Sequence, residues 1–262
     1  MTQFINQKYR AALESANLLD LPSLFTRQDL VPVKETLESR QTLRIETDNG
    51  VFYIKRYPKR VQSGSRFNLI SKSFTSLAMR EWHVLNLLQD LNIPTMHTAA
   101  CLESPTQAAL ITAGLDAPVT LEKMAQSEWA KMPVARRARF ANNVGVILRR
   151  MHDGGINHRD FYLVHLRVSA DDTVYVTDLN RADIRKFVGR RWRVKDLAAL
   201  QFSAPSSISN TDRARCFRAY ANGDRLRDHK KLILAVLKKA DAMHAHTKKK
   251  VENGEPNYHL ND

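Results

Sequence analysis

Two stretches decide how this chain is to be read: INHRDFYLVHLRV, Ile156 to Val168, and VYVTDLNRA, Val174 to Ala182. Each sets an aspartate, Asp160 or Asp178, beside a short apolar segment. Taken singly, either is an ordinary turn acid, and a His-Arg-Asp tripeptide turns up by chance in many proteins. The segments LVHLRV and TVYVT flank Ser-Ala-Asp-Asp, however, which is the pattern of a β-hairpin. Hairpin ends return to one place, so both carboxylates are expected at one edge, one suited to a base and the other to a metal.

Upstream, residues 41–57, QTLRIETDNGVFYIKRY, alternate as a half-buried strand does on both sides of Asn49-Gly50, a dipeptide suited to a type I′ turn. A strand around Leu30–Lys34 is expected to pair with this hairpin. The polar, basic segment 60–73, with Gly64 near its start, reads as a mobile loop. From Phe74 to about Gln89 the apolar positions recur at helical spacing, and Pro94 prevents continuation. That helix carries Glu81.

Strands are expected at Thr98–Leu102 and Ala108–Thr112, then a long helix from Pro133 to a stop at Gly154-Gly155. Beyond Val194 the pattern is helical: VKDLAALQF, TDRARCFRAYA and DRLRDHKKLILAVLKKADAMHAH. The polar tail KKKVENGEPNYHLND, 248–262, reads as disordered. No internal repeat is present.

Composition narrows the class. The 262 residues include 41 Lys and Arg against 27 Asp and Glu, a formal charge of +14 that favours an anionic partner. Nucleic acid, nucleotide phosphates, an anionic membrane surface and an acidic protein all qualify. Cys101 and Cys216 stand alone, which suggests neither a disulfide framework nor a zinc site and suits a reducing cytosol. The N-terminus does not read as a secretory signal, and no apolar run approaches the roughly 18 residues of a membrane span. The chain is expected to be cytoplasmic, at most peripheral on a membrane face.

Phosphoryl transfer requires a triphosphate to be held, its charge to be neutralised and an acceptor hydroxyl to be aligned. The protein-kinase plan meets these needs with a strand lysine, a helix glutamate that orients it, a loop aspartate as base and a second aspartate on metal. Lys55, Glu81, Asp160 and Asp178 occur in that order. Lys55 alone could equally be a solvated strand lysine, and Glu81 a surface acid. Their shared order raises the odds of each.

GINHRDFYLVHL, VTDLNRADIR and RRWRVKDLAALQFSA, with FYIKRYP and MREWHVL upstream, resemble the lipopolysaccharide core kinases that phosphorylate inner-core heptose. The resemblance covers roughly residues 25–225. It implies an α+β, bilobal protein-kinase-like fold: a 1–24 extension, a β-rich N-lobe with one helix over 25–113, a mostly helical C-lobe over 114–247 and the 248–262 tail. It implies ATP and Mg²⁺ as cofactors, with Lys55 on the ATP phosphates, Glu81 paired to it, Asp160 receiving or orienting the sugar hydroxyl and Asp178 holding Mg²⁺. Asp196 looks like the buried aspartate that anchors the catalytic loop, with His158 beside it, although a helix N-terminal acid would read the same way.

Departures from the wider fold are informative. Five residues after Asp160 stands His165 rather than a metal-binding Asn. An imidazole is a poor Mg²⁺ ligand beside oxygen donors, so His165 is open to ligation, to a phosphate hydrogen bond or to packing. No G-x-G-x-x-G precedes Lys55. The turn KETLESRQT is expected to cover the phosphates instead, through Ser39, Arg40 and backbone N–H groups.

The run RADIRKFVGRRWRVK, 181–195, holds seven basic residues against one acid. It is either a solvated face or the receiver of a phosphate-rich and carboxylate-rich acceptor, with Arg190, Arg191 and Arg193 as the candidates. The resemblance implies lipopolysaccharide inner core as that acceptor, at the cytoplasmic face of the inner membrane. Competing readings are a kinase of the same fold acting on a second heptose, Kdo, a small molecule or a protein hydroxyl, and a basic binding protein without catalysis. Nucleic acid is disfavoured because no base-stacking aromatic platform interleaves the basic residues.

Overall fold

The computed structural model describes residues 2–33, 40–57 and 76–253. Lys34 to Ser39, which include most of the expected phosphate-covering turn, lie outside the described residues. So do the segment 60–73 and the end of the 248–262 tail. The chain divides into two units, residues 1–116 with 183–185, and residues 117–182 with 186–262.

The first unit is built on a six-stranded antiparallel sheet in the order β1-β5-β6-β4-β3-β2. Its strands are β1 (Thr2–Ile5), β2 (Val31–Pro32), β3 (Gln41–Thr47), β4 (Gly50–Tyr57), β5 (Thr98–Glu103) and β6 (Ala108–Ala113). Period-two alternation along β4 sends Phe52 and Ile54 to one face and Lys55 and Tyr57 to the other. Against Phe52 and Ile54 pack Leu13, Leu18, Leu21 and Leu24, contributed by and between two short helices, α1 (Arg10–Ser15) and α2 (Leu21–Thr26).

The stretch 1–24, set apart above as an extension, therefore supplies an edge strand and one wall of this unit's core. Burying those four leucines contributes on the order of 1.5–3 kcal/mol each relative to exposure. Helix α3 (Leu77–Asp90) packs on β5 and β6, begins at Ser76, whose hydroxyl accepts the Met79 N–H, and buries Glu81.

The β3–β4 turn differs from the expected type I′. Thr47 pairs with Gly50, so Asp48 and Asn49 are the central residues, and neither has positive φ. Gly50 takes φ +112° instead, which a glycine adopts without steric cost. The Thr47 hydroxyl accepts the Asn49 N–H at 3.2 Å and donates to the Gly50 carbonyl at 2.8 Å, which closes the turn locally.

The second unit is mostly helical: α4 (Leu121–Ser127), α5 (Val134–Asp153), α6 (Arg190–Ser203), α7 (Asn210–Tyr220) and α8 (Lys230–Glu252). Its strands include β7 (Val119–Thr120), the short β8 (Ile156–Asn157), β9 (Leu166–Val168) and β10 (Val174–Val176). β9 pairs antiparallel with both β10 and β7. The strand expected from Leu163 starts only at Leu166, because Leu163–His165 forms a 3-10 turn. Helix α8 also continues to Glu252, into the stretch read as disordered. Helices α5 and α7 cross so closely that a Cβ on Gly145 would lie 2.1 Å from the Cys216 carbonyl oxygen.

Candidate active site

In the first unit, Lys55 and Tyr57 stand two residues apart on one face of β4, and both reach Glu81 on α3. The Lys55 ammonium is 2.5 Å from Glu81 Oε1, and the Tyr57 hydroxyl donates to Glu81 Oε2 at 3.2 Å. Glu81 is fully buried and Lys55 is 15% exposed at its side chain, so the pair is shielded but the cation is not sealed in. A buried carboxylate needs both oxygens satisfied, which this pair of donors achieves. Burial first, and then the Glu81 charge, push the Tyr57 phenol well above its ordinary range, so it remains a donor.

Arg40 lies near enough to act electrostatically on Tyr57, and its Nη1 is buried without a hydrogen-bond partner among the described residues. A guanidinium with an unused buried donor suits an anionic ligand. Tyr57→Phe should leave Glu81 Oε2 without its donor and lower stability by about 1–2 kcal/mol. A denaturant midpoint that matches wild type would remove Tyr57 from this role.

In the second unit, α5 stops at Gly154-Gly155, with Gly155 at φ +80°, and the chain turns through β8 into the loop that carries Asp160. Asp196, buried on α6, holds that loop by its backbone. Its Oδ2 accepts the His158 N–H at 2.8 Å, and its Oδ1 accepts the Arg159 N–H at 2.7 Å. His152 Nε2 lies 3.1 Å from Oδ2, and His152 Nδ1 lies 2.9 Å from the Tyr220 hydroxyl. With Arg193 donating to the Tyr220 oxygen at 3.3 Å, the donors run in one direction, Arg193 to Tyr220 to His152 to Asp196. That order requires the Nε2–H tautomer of His152.

His158, also buried, donates from Nε2 to the Thr177 carbonyl at 3.0 Å. Thr177 in turn sends its N–H and its hydroxyl to the His165 carbonyl, each at 2.9 Å. These bonds tie the two ends of the hairpin together and bring the Asp160 loop beside Asp178. Arg159 and Asp178 both adopt left-handed backbone, at φ +73° and +56°. For residues with a Cβ this costs about 1–2 kcal/mol each, offset here by the surrounding bonds.

Asp160 is 17% exposed at its side chain, and its Oδ1 accepts from Arg181 Nη1 at 2.9 Å. Burial, followed by the Asp160 charge, raises the nearby Tyr162 phenol above its ordinary range. His165 Nδ1 is 3.7 Å from Asp178 Oδ2, beyond hydrogen-bond length, and its ring stacks on His158 with centroids 6.1 Å apart. Among the described residues, no group of three or more His, Cys, Asp or Glu is gathered as a metal site. Asp178 nevertheless fits Mg²⁺, which takes one or two carboxylates and fills its other positions with phosphate oxygens and water.

The three candidate acceptor arginines separate. Arg190 and Arg191 are exposed; Arg190 reaches the Lys231 carbonyl, and Arg191 lies over the Trp192 ring at 5.2 Å. Arg193 is half-buried and bonded to the Val188 carbonyl, the Tyr220 hydroxyl and Asp153. Its donors hold the fold, so it is a brace rather than an acceptor contact. Sequence reasoning missed Tyr57, His152 and Tyr220. Only Tyr57 had a usable signal: in an alternating strand, position i+2 from Lys55 shares its face.

Residues 28–220 match the family model of the lipopolysaccharide kinase (Kdo/WaaP) family. The lipopolysaccharide core heptose(I) kinase WaaP of Escherichia coli (strain K12) is 33% identical over 205 residues, covering 70% of this chain and 75% of the relative. The protein of the same name from Pseudomonas aeruginosa is 32% identical over 231 residues, covering 81% of this chain and 86% of the relative.

Proposed function

The chain belongs to the lipopolysaccharide kinase (Kdo/WaaP) family, and from that premise we propose that it transfers the γ-phosphoryl group of ATP to a heptose hydroxyl of the lipopolysaccharide inner core. The observation that carries the reading is Asp160, partly open to solvent, on a loop fastened to Asp196 and lying beside Asp178 inside the matched region. A kinase supplies little covalent chemistry; positioning and charge do the work.

In the first unit, Lys55 holds ATP phosphates and Glu81 keeps its ammonium in place, with Tyr57 fixing Glu81 and Arg40 adding a second cation. In the second unit, Asp160 accepts the proton of the acceptor hydroxyl through the oxygen that Arg181 does not engage. Asp178 would hold Mg²⁺, which supplies charge neutralisation on the phosphates when bound. His165 serves the site through its carbonyl and its stacking on His158, since an imidazole is a poor ligand for that ion.

The acceptor's lipid end sits in a bilayer leaflet. No helix among the described residues is long and apolar enough to cross a membrane. We assign the chain to the cytoplasmic face of the inner membrane, held peripherally by its +14 charge. The exposed Arg190 and Arg191 are the acceptor contacts in this reading.

The test is transfer of labelled γ-phosphate from ATP to lipopolysaccharide lacking its core phosphate, presented in anionic vesicles at low and high salt. Label in core sugar, less of it at high salt, and an acceptor KM raised in Arg190→Ala/Arg191→Ala at unchanged ATP KM are expected. A folded protein that binds ATP but labels no core sugar overturns the acceptor assignment.

A further inference from the structure

The transferring phosphoryl group spreads negative charge over three oxygens, and donors placed at that charge dominate such catalysis. The loop residues after Asp160, Phe161-Tyr162-Leu163-Val164, contain no cation. Two other elements bring cations to the same place. Arg181 ends the 3-10 turn Leu179–Arg181 that follows Asp178, and its Nη1 reaches back to Asp160 Oδ1 at 2.9 Å. Its guanidinium thus reaches from the turn after Asp178 to the Asp160 carboxylate. The side chain is 55% exposed, and among the described residues Asp160 is its one hydrogen-bond partner, which leaves donors for a ligand.

Lys195 stands on α6 directly before Asp196, whose carboxylate fastens the Asp160 loop. It is half-buried, and its ammonium lies 5.8 Å from the Trp192 ring centroid, a ring that also carries Arg159 at 5.6 Å and Arg191 at 5.2 Å. Among the described residues this ammonium makes no hydrogen bond or ion pair. The charged groups acting on it are Arg181, Asp160, Arg159 and Asp196. Burial, and after it the Arg181 charge, hold the lysine below its ordinary range. Burying this ammonium costs free energy that the carboxylates of Asp160 and Asp196 offset only through space, and an anionic ligand in direct contact would offset more.

We propose that Arg181 and Lys195 are catalytic residues that together bind the γ-phosphoryl oxygens during transfer. This rests on the kinase reading above. The bond from phosphorus to the β–γ bridging oxygen breaks as the bond to the acceptor oxygen forms. The hydroxyl proton passes to Asp160, and ADP leaves with the bridging electron pair. Arg181 and Lys195 carry the phosphoryl charge throughout, and Arg181 keeps Asp160 aimed at the hydroxyl beforehand.

The experiment measures affinity for ADP with magnesium and aluminium fluoride, a mimic of the phosphoryl group in flight, alongside ATP affinity and transfer rate. Arg181→Ala and Lys195→Ala should each bind the mimic at least about tenfold more weakly, bind ATP within twofold of wild type, and lose roughly 10²–10³-fold in kcat. Lys195→Arg should recover much of the rate and move the alkaline limb of the pH profile upward, because a guanidinium does not titrate there. Mimic affinity unchanged in folded variants, or a kcat that rises when Arg181 is removed, overturns the proposal. A wild type that binds neither ATP nor the mimic takes down the kinase reading itself, and this inference with it.

Discussion

Asp160→Asn should lower the rate of phosphoryl transfer by about 10²–10⁴-fold while leaving ATP affinity and the unfolding midpoint near those of wild type. The substitution is close to isosteric. The amide oxygen can still accept from Arg181 Nη1, now at 2.9 Å from Asp160 Oδ1, so the local packing persists. What disappears is the capacity to take a proton from the acceptor hydroxyl. In the proposed reading ATP is held by Lys55 in the first unit, whose pairing with Glu81 the change does not touch. Comparing kcat, ATP binding and thermal unfolding on one preparation separates lost chemistry from lost fold. Turnover within threefold of wild type would end the case for Asp160 as the base.

Asp196→Asn should do the opposite kind of damage, harming fold and rate together. The carboxylate is fully buried and uses separate oxygens for the His158 and Arg159 N–H groups, with His152 Nε2 on the first of them. An amide offers one oxygen and turns an NH₂ toward the other N–H, so two donors meet and one is left unsatisfied. Breaking such a buried, charge-assisted set costs roughly 3 kcal/mol, which for a chain of this size lowers Tm by about 6–12 °C. These bonds help hold Arg159 in its left-handed backbone, so the Asp160 loop should relax and activity should fall by more than the loss of folded protein explains. A wild-type Tm would show that Asp196 is not the anchor its geometry makes it.

The candidate residues could be picked out from spacing because they follow chain order. Lys55, Glu81, Asp160 and Asp178 each sit at a strand end, a helix face or a turn whose local pattern is written in adjacent residues. The partners that complete them are not local. His152 and Tyr220, 68 residues apart, meet through helix packing, and nothing in the neighbourhood of either announces the other. Arg193 looked interchangeable with Arg190 and Arg191 because charge counting cannot tell a brace from an exposed cation; burial decides that. The β3–β4 turn lies where Asn49-Gly50 indicates but is not type I′, since Asp48 and Asn49 close it with ordinary φ and Gly50 absorbs the left-handed step. Residues 1–24 were underread because short helices give too few turns for periodicity to register, whereas their four leucines close the back of the sheet.

The pairing of β1 with β5 has a bearing on how this protein behaves in concentrated solution. An unpaired strand margin displays a row of backbone donors and acceptors that another chain can extend, the first step of many aggregates. Strand β5, Thr98–Glu103, is buried at every position, with Ala99, Ala100, Cys101 and Leu102 in its middle, the composition such templating favours. With Thr2–Ile5 seated along it, the margin offered outward is four residues long and begins Thr-Gln. Residues 2–5 thus serve as a selvedge to the sheet, and a version lacking them would carry a raw, sticky one.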